Sequence, residues 1–350
     1  MKWIKRLSYF TLRFYVKVGL WVYFKKVEVQ GLENIPSRGP VFFTANHQNS
    51  FLDALLVATT TKRYCHYLVS SVFFKKRLAR AFLFYFNMFP IYRIRDGWKG
   101  LRKMESTFQY SEKVFLKEQA LLIFPEGNHA HERRLRPLTK GFVRILFGVL
   151  DNAPEIKIPI VPVGINYSNH TAFGGKVSVW YGKPIYLETP SDRMLKQEKE
   201  SMVQRLSDEM KTLIVHVEDA GNYDTIMARL EKEKINLLNP VQANFRIKQL
   251  ELENLKAPEV QEKFSGEKRK GIVQQVFYWM HFPLFKAWRN LERKIVDKVY
   301  VGSLKFTFGL FVFPLYYGFI GMSTYFFSSI LLATYLVLGL LFSTLLVTKS

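Results

Sequence analysis

The chain of 350 residues has one cysteine, Cys65. That excludes an internal disulfide and a cluster of metal-binding thiolates, and it fits a reducing compartment. Acid is also scarce. There are 29 Asp+Glu against 51 Lys+Arg, a formal net charge of +22. A field of that sign favours anionic partners: nucleic acid, anionic lipid, or an acidic cofactor or carrier protein. The imbalance is sharpest from Lys62 to Lys103, where Asp96 is the sole acid among 11 basic residues. Charge of either sign is missing from Phe306 to Thr348. One membrane span needs about 20 apolar residues, so this stretch has the length of two spans, 306–327 and 328–347, joined by a tight turn. A buried soluble hairpin is the alternative. Arg293, Lys294, Lys298 and Lys305 precede the stretch and Lys349 follows it. For a membrane hairpin, the positive-inside rule puts both flanks in the cytoplasm.

What is plentiful is aromatic. Phe, Trp and Tyr make up 16% of the chain, and Phe alone accounts for 31 residues. This is heavy for a soluble nucleic-acid binder and ordinary for a protein that meets lipid. Residues 1–26 mix Trp3, Phe10, Phe14 and Trp21 with Lys2, Lys5, Arg6, Arg13, Lys17, Lys25 and Lys26. Lys17 interrupts any spanning run, and no cleavage site marks a signal peptide. An amphipathic helix lying in the membrane interface over 1–30 is the expectation, with a single imperfect span as the other possibility.

Between the ends, short apolar runs at 41–45, 67–70, 91–94, 120–124, 158–165 and 177–181 alternate with helically spaced segments at 52–58, 76–86, 99–117 and 141–150. Such alternation predicts an α/β fold with a mixed, largely parallel sheet flanked by helices. Ligands gather at strand ends in these sheets, and His47, Arg93 and Glu126 each fall near a predicted one. Residues 191–275 read as a charged helical extension without apparent chemistry. Residues 276–305 read as a basic, aromatic juxtamembrane segment.

His47 and Asp53 share one short segment, Asn46-His47-Gln48-Asn49-Ser50-Phe51-Leu52-Asp53. A neutral imidazole can take a proton from a hydroxyl while a carboxylate orients it. Ser50 and Asp53 also have capping-box spacing, and both readings stand on the spacing alone. Arg93 and Arg95 offer planar forks suited to phosphate, or decorate a solvated strand end. Glu126, followed by Gly127, can bond a substrate hydroxyl, hold an arginine, or charge a helix N-terminus. His129 and His131 are too sparse a pair to predict a metal site.

Taken in order, these blocks resemble the glycerolipid acyltransferase family, which acylates glycerol-3-phosphate and lysophosphatidate. Asn46-His47 and Asp53 are similar to its His–Asp motif, with five intervening residues in place of the usual four. Arg93 matches its phosphate-binding arginine, with Arg95 second. Phe124-Pro125-Glu126-Gly127 match its third block, Asn128 and His129 departing, and Ile160-Val161-Pro162-Val163 its fourth. The resemblance implies an acyltransferase domain over 31–190, with His47 as general base and Asp53 as its orienter. It implies substrate binding by Arg93, Arg95, Glu126 and Gly127. It further implies acyl-CoA or acyl-acyl carrier protein as donor and a phosphorylated glycerol as acceptor, beside membrane phospholipid, with neither cofactor, metal nor nucleic acid. The expected product is an integral membrane enzyme with a hairpin over 306–348 and its catalytic domain on the cytoplasmic face. Acylation of another lipid, such as an amino-acid lipid, and a non-catalytic lipid-binding scaffold are the alternatives.

Overall fold

The computed structural model describes residues 2–92, 98–187, 196–253 and 271–349. Arg93 and Arg95 lie outside the described residues. Among those described, β1 (Lys26–Gln30), β2 (Val41–Ala45), β3 (Cys65–Ser70), β4 (Met88–Ile91), β5 (Ala120–Ile123), β6 (Ile160–Tyr167) and β7 (Lys176–Tyr181) form one sheet in the order β1-β7-β6-β2-β5-β3-β4. Neighbouring strands are parallel except β6 and β7, which run antiparallel. The fold class is thus the expected one.

β2, β5 and β6 are buried along their whole lengths, which explains their unbroken apolar runs. Val41, Phe43 and Ala45 face a core shared with α1 (Lys2–Tyr23) and α2 (Phe51–Thr60). Phe42, Leu121 and Ile123 face the opposite core, built with α4 (Trp98–Leu116), α5 (Gly141–Asn152) and α6 (Lys196–Leu213). α3 (Arg77–Tyr85) leads into β4. Because β2 and β5 are parallel neighbours with Thr44 opposite Ile123, their C-terminal ends are level. The loops carrying His47 and Glu126 therefore leave the same edge.

Several expected boundaries move. The interfacial helix was expected over 1–30, but α1 ends at Tyr23 and β1 follows as a sheet edge paired with β7. Alternation in Val27-Glu28-Val29-Gln30 is the signal, and it places the start of the domain at 26 instead of 31. β4 spans Met88–Ile91, earlier than the expected 91–94, because its pairing with β3 sets Met88 opposite Tyr67. The extension at 191–275 is divided. Met202, Leu206 and Met210 bury one stripe of α6 in the sheet's second core. α7 (Tyr223–Lys232) and α8 (Pro240–Leu252) enclose a small core of their own.

α1 carries two apolar stripes. Tyr9, Val16, Leu20 and Tyr23 are buried against the sheet core, whereas Trp3, Ile4, Phe14 and Trp21 are exposed. After α9 (Ile272–Met280) and α10 (Phe282–Glu292), the chain ends in α11 (Tyr300–Phe327) and α12 (Ile330–Lys349), packed on each other. Both are long and apolar enough to cross a membrane. α11 starts upstream of the expected 306, and Pro314 is accommodated inside it. Lys349 Nζ donates to the carbonyl oxygens of Trp21 (2.6 Å) and Phe24 (2.8 Å), serving acceptors that the end of a helix leaves open.

Candidate active site

Asn46 anchors the loop after β2. Its Nδ2 donates to Ile165 O (3.1 Å) and its Oδ1 accepts from Ile165 N (2.7 Å). Beyond it the chain turns back sharply, with Ser50 at φ 49°. This left-handed residue accommodates the additional position, so Asp53 still faces His47. His47 Nδ1 lies 2.9 Å from Asp53 Oδ2. The same oxygen accepts from Gln48 N (2.9 Å) and Asn49 N (2.8 Å), and Tyr167 donates its hydroxyl to Oδ1 at 2.6 Å. Asp53 is fully buried. The Ser50 side chain makes no capping bond to the α2 N-terminus, so the capping-box alternative is not formed. A carboxylate beside Nδ1 assigns the proton to that nitrogen and leaves Nε2 as the acceptor.

Glu126 and an arginine that sequence reasoning missed hold the His47 backbone. Glu126 Oε1 accepts from His47 N (2.8 Å), and Oε2 accepts from Arg136 Nε (2.6 Å) and N (3.2 Å). Arg136 Nη2 donates to His47 O (3.1 Å) and Asn128 O (2.6 Å). The peptide groups on both sides of the His47 side chain are thus fixed through one ion pair. Glu126 thus fills one of the roles open to it, holding an arginine. Burial pushes its carboxyl up, and Arg136 pulls it back. Replacing Arg136 with Gln is expected to cost about 3 kcal/mol of stability, because a buried carboxylate loses its partner. Chemical denaturation checks this figure. Gly127, at φ 73°, turns the chain where a side chain would be strained.

The His47 ring stacks on Phe124, with centroids 4.0 Å apart, and meets the edge of His129 at 5.4 Å. His129 Nε2 lies 3.4 Å from Asp297 Oδ2, and the Tyr300 ring lies against its imidazole. Among the described residues no group of three His, Cys, Asp or Glu is placed to hold a metal. His47, Glu126 and Gly127 line a cavity of about 1670 Å³. One wall is apolar, with Leu55, Leu78 and Phe82, and the cations Arg13, Lys140 and Arg144 reach it.

Burial favours the neutral form of several imidazoles. His129 and His66, the latter between Tyr110 Oη (2.7 Å) and Gln119 Oε1 (2.8 Å), are both pushed down to about 4. In the unfolded chain such groups take up protons near an ordinary value of about 6.5. Their stabilising contribution is complete above that value and is lost as pH falls toward about 4. The thermal unfolding midpoint should drop across that window, and His66→Gln should flatten part of the fall.

Residues 26–166 match the Acyltransferase family model. This segment is an acyltransferase domain. The domain's relatives include glycerol-3-phosphate O-acyltransferase 2 of Saccharomyces cerevisiae, 29% identical over 135 residues, 35% of this chain and 18% of that protein. A chloroplastic 1-acyl-sn-glycerol-3-phosphate acyltransferase of Brassica napus is 24% identical over 195 residues, 52% of this chain and 51% of its own length. The chain thus spans about half or less of these curated relatives. A solved 1-acyl-sn-glycerophosphate acyltransferase, PlsC from Thermotoga maritima, aligns over 59% of this chain and 82% of its own, with a TM-score of 0.41 and 19% identity. Within the acyltransferase domain, Arg136 carried no motif signal of its own, standing as one of several arginines from Arg133 to Arg136. Tyr167, two positions beyond the expected 158–165 run, carried none either, and only the folded β6 brings its hydroxyl to Asp53.

Proposed function

We propose that this chain is a membrane-bound O-acyltransferase. It moves a fatty acyl group from acyl-CoA or acyl-acyl carrier protein to a hydroxyl of glycerol-3-phosphate or 1-acylglycerol-3-phosphate. The observation that carries this reading is the 2.9 Å contact from His47 Nδ1 to the saturated Asp53 carboxylate, in a residue whose ring also lines the large cavity.

His47 Nε2 removes the proton as the acceptor oxygen attacks the thioester carbonyl. The tetrahedral intermediate collapses, the C–S bond breaks, and the proton leaves with the thiolate. Asp53 stabilises the imidazolium in between. No acyl-enzyme is needed, because holding both substrates together removes much of the entropic barrier. The apolar wall suits the acyl chain. Lys140 and Arg144, beside Glu126 and Gly127, suit a phosphate, and Arg93 and Arg95 are proposed to join them. α11 and α12 form a transmembrane hairpin, the exposed stripe of α1 lies in the interface, and the basic flanks favour a cytoplasmic catalytic face.

The test is acyl transfer by the purified chain to glycerol-3-phosphate, 1-acylglycerol-3-phosphate and unphosphorylated glycerolipids, with each thioester donor. Product with a phosphorylated acceptor supports the reading. Product only with unphosphorylated acceptors, or none at all, overturns it.

A further inference from the structure

α11 enters the catalytic site before it enters its uncharged run. Val301, Gly302 and Ser303 in its first turn are buried. Ser303 Oγ donates to Asn49 O and accepts from Leu52 N at 3.3 Å. Asn49 N donates in turn to Asp53 Oδ2, so Ser303 stands one residue away from the carboxylate. Gly302 lies against the same loop. A Cβ there would overlap His170 O and stand 2.6 Å from Asn49 Oδ1, while Asn49 Nδ2 donates to that same carbonyl at 2.6 Å. The contacts continue along the helix: Tyr300 packs on His129, and Lys305 Nζ donates to Thr171 O at 2.8 Å. The His47–Asp53 loop is therefore held by Glu126 and Arg136 from its own domain and by α11 from the apolar hairpin.

We propose that Gly302 and Ser303 are positioning residues for the His47–Asp53 pair, which makes the hairpin a working part of the active site as well as an anchor. An α-helix is a stiff link. α11 has 28 residues and, at ~1.5 Å per residue, is about 42 Å long, against about 30 Å for a hydrocarbon core. The surplus of about 12 Å, roughly two turns, leaves room for the first turn to seat on Asn49. An axial shift of the span carries Ser303 with it, and a misplacement of about 1 Å can cost up to about 100-fold in rate. This inference rests on the acyltransferase reading.

The full chain, reconstituted in phosphatidylglycerol-containing vesicles, tests it with four variants of one helix. Ser303→Ala and Gly302→Ala disturb the contact. Gly309→Ala and Gly318→Ala add a methyl where nothing lies within 4 Å. Per folded molecule, judged by the thermal transition, kcat should fall about ten-fold for Ser303→Ala and about 100-fold for Gly302→Ala. KM for donor and acceptor should stay within about two-fold, and the two control variants should match the parent. Ser303→Ala decides alone if Gly302→Ala does not fold. The inference is overturned by a kcat for Ser303→Ala within about two-fold of the parent, by KM rising in step, or by an equal loss in the controls. A parent chain with no transfer would instead overturn the acyltransferase reading.

Discussion

His47→Ala is expected to lower kcat for acyl transfer by roughly 10²–10⁴-fold, the range that a positioned general base contributes. The chain should still fold and associate with membranes. The loop does not depend on the imidazole. Asp53 keeps its bonds from Gln48 N, Asn49 N and Tyr167 Oη, and Glu126 bonds the backbone N–H of residue 47, which alanine retains. The ring's removal opens space beside Phe124 and His129 at the cavity wall. Steady-state kinetics with a vesicle-binding assay check both halves, and transfer at the parent rate would remove His47 from the mechanism.

Asp53→Asn should lower kcat by roughly 10²–10³-fold while leaving most of the stability intact. Three donors converge on Oδ2, so the amide oxygen must take that position. The amide nitrogen then faces Tyr167, whose hydroxyl can reverse and accept. The shape of the loop survives, and the negative charge that supports a protonated imidazole does not. Asp53→Ala is the contrasting case. It leaves the buried N–H groups of Gln48 and Asn49 unpaired, at about 1–3 kcal/mol each, so activity and unfolding midpoint should fall together. If the Asn variant stays within about ten-fold of the parent, the buried charge is not what assists the base.

The legible parts were those in which one segment both forms an element and buries it. β2 and β5 are continuous apolar runs because both faces of the sheet are covered. His47 and Glu126 stand just past strand ends, and Asp53 drew notice by its spacing from His47. β1 was obscured because its Val27 and Val29 follow directly on a basic, aromatic helix. The many charges of α6 hide a stripe of three apolar residues, Met202, Leu206 and Met210, spaced four positions apart. The supports of the site were illegible for a different reason. Tyr167 reaches Asp53 across 114 positions and Ser303 reaches Leu52 across 251, and no local spacing reports contacts of that range. Arg136 finds Glu126 only ten positions away, but nothing in the sequence separates it from its neighbouring arginines.

The separation of Leu52 and Ser303 also sets a clock. At synthesis rates of about 5–20 residues per second, the helix that completes the His47 loop is made roughly ten to fifty seconds after the loop itself. Throughout that interval a nascent chain has its base and carboxylate but lacks the turn that seats them. Newly made protein would thus gain its full chemistry only once α11 exists, when the chain is already committed to wherever that helix resides.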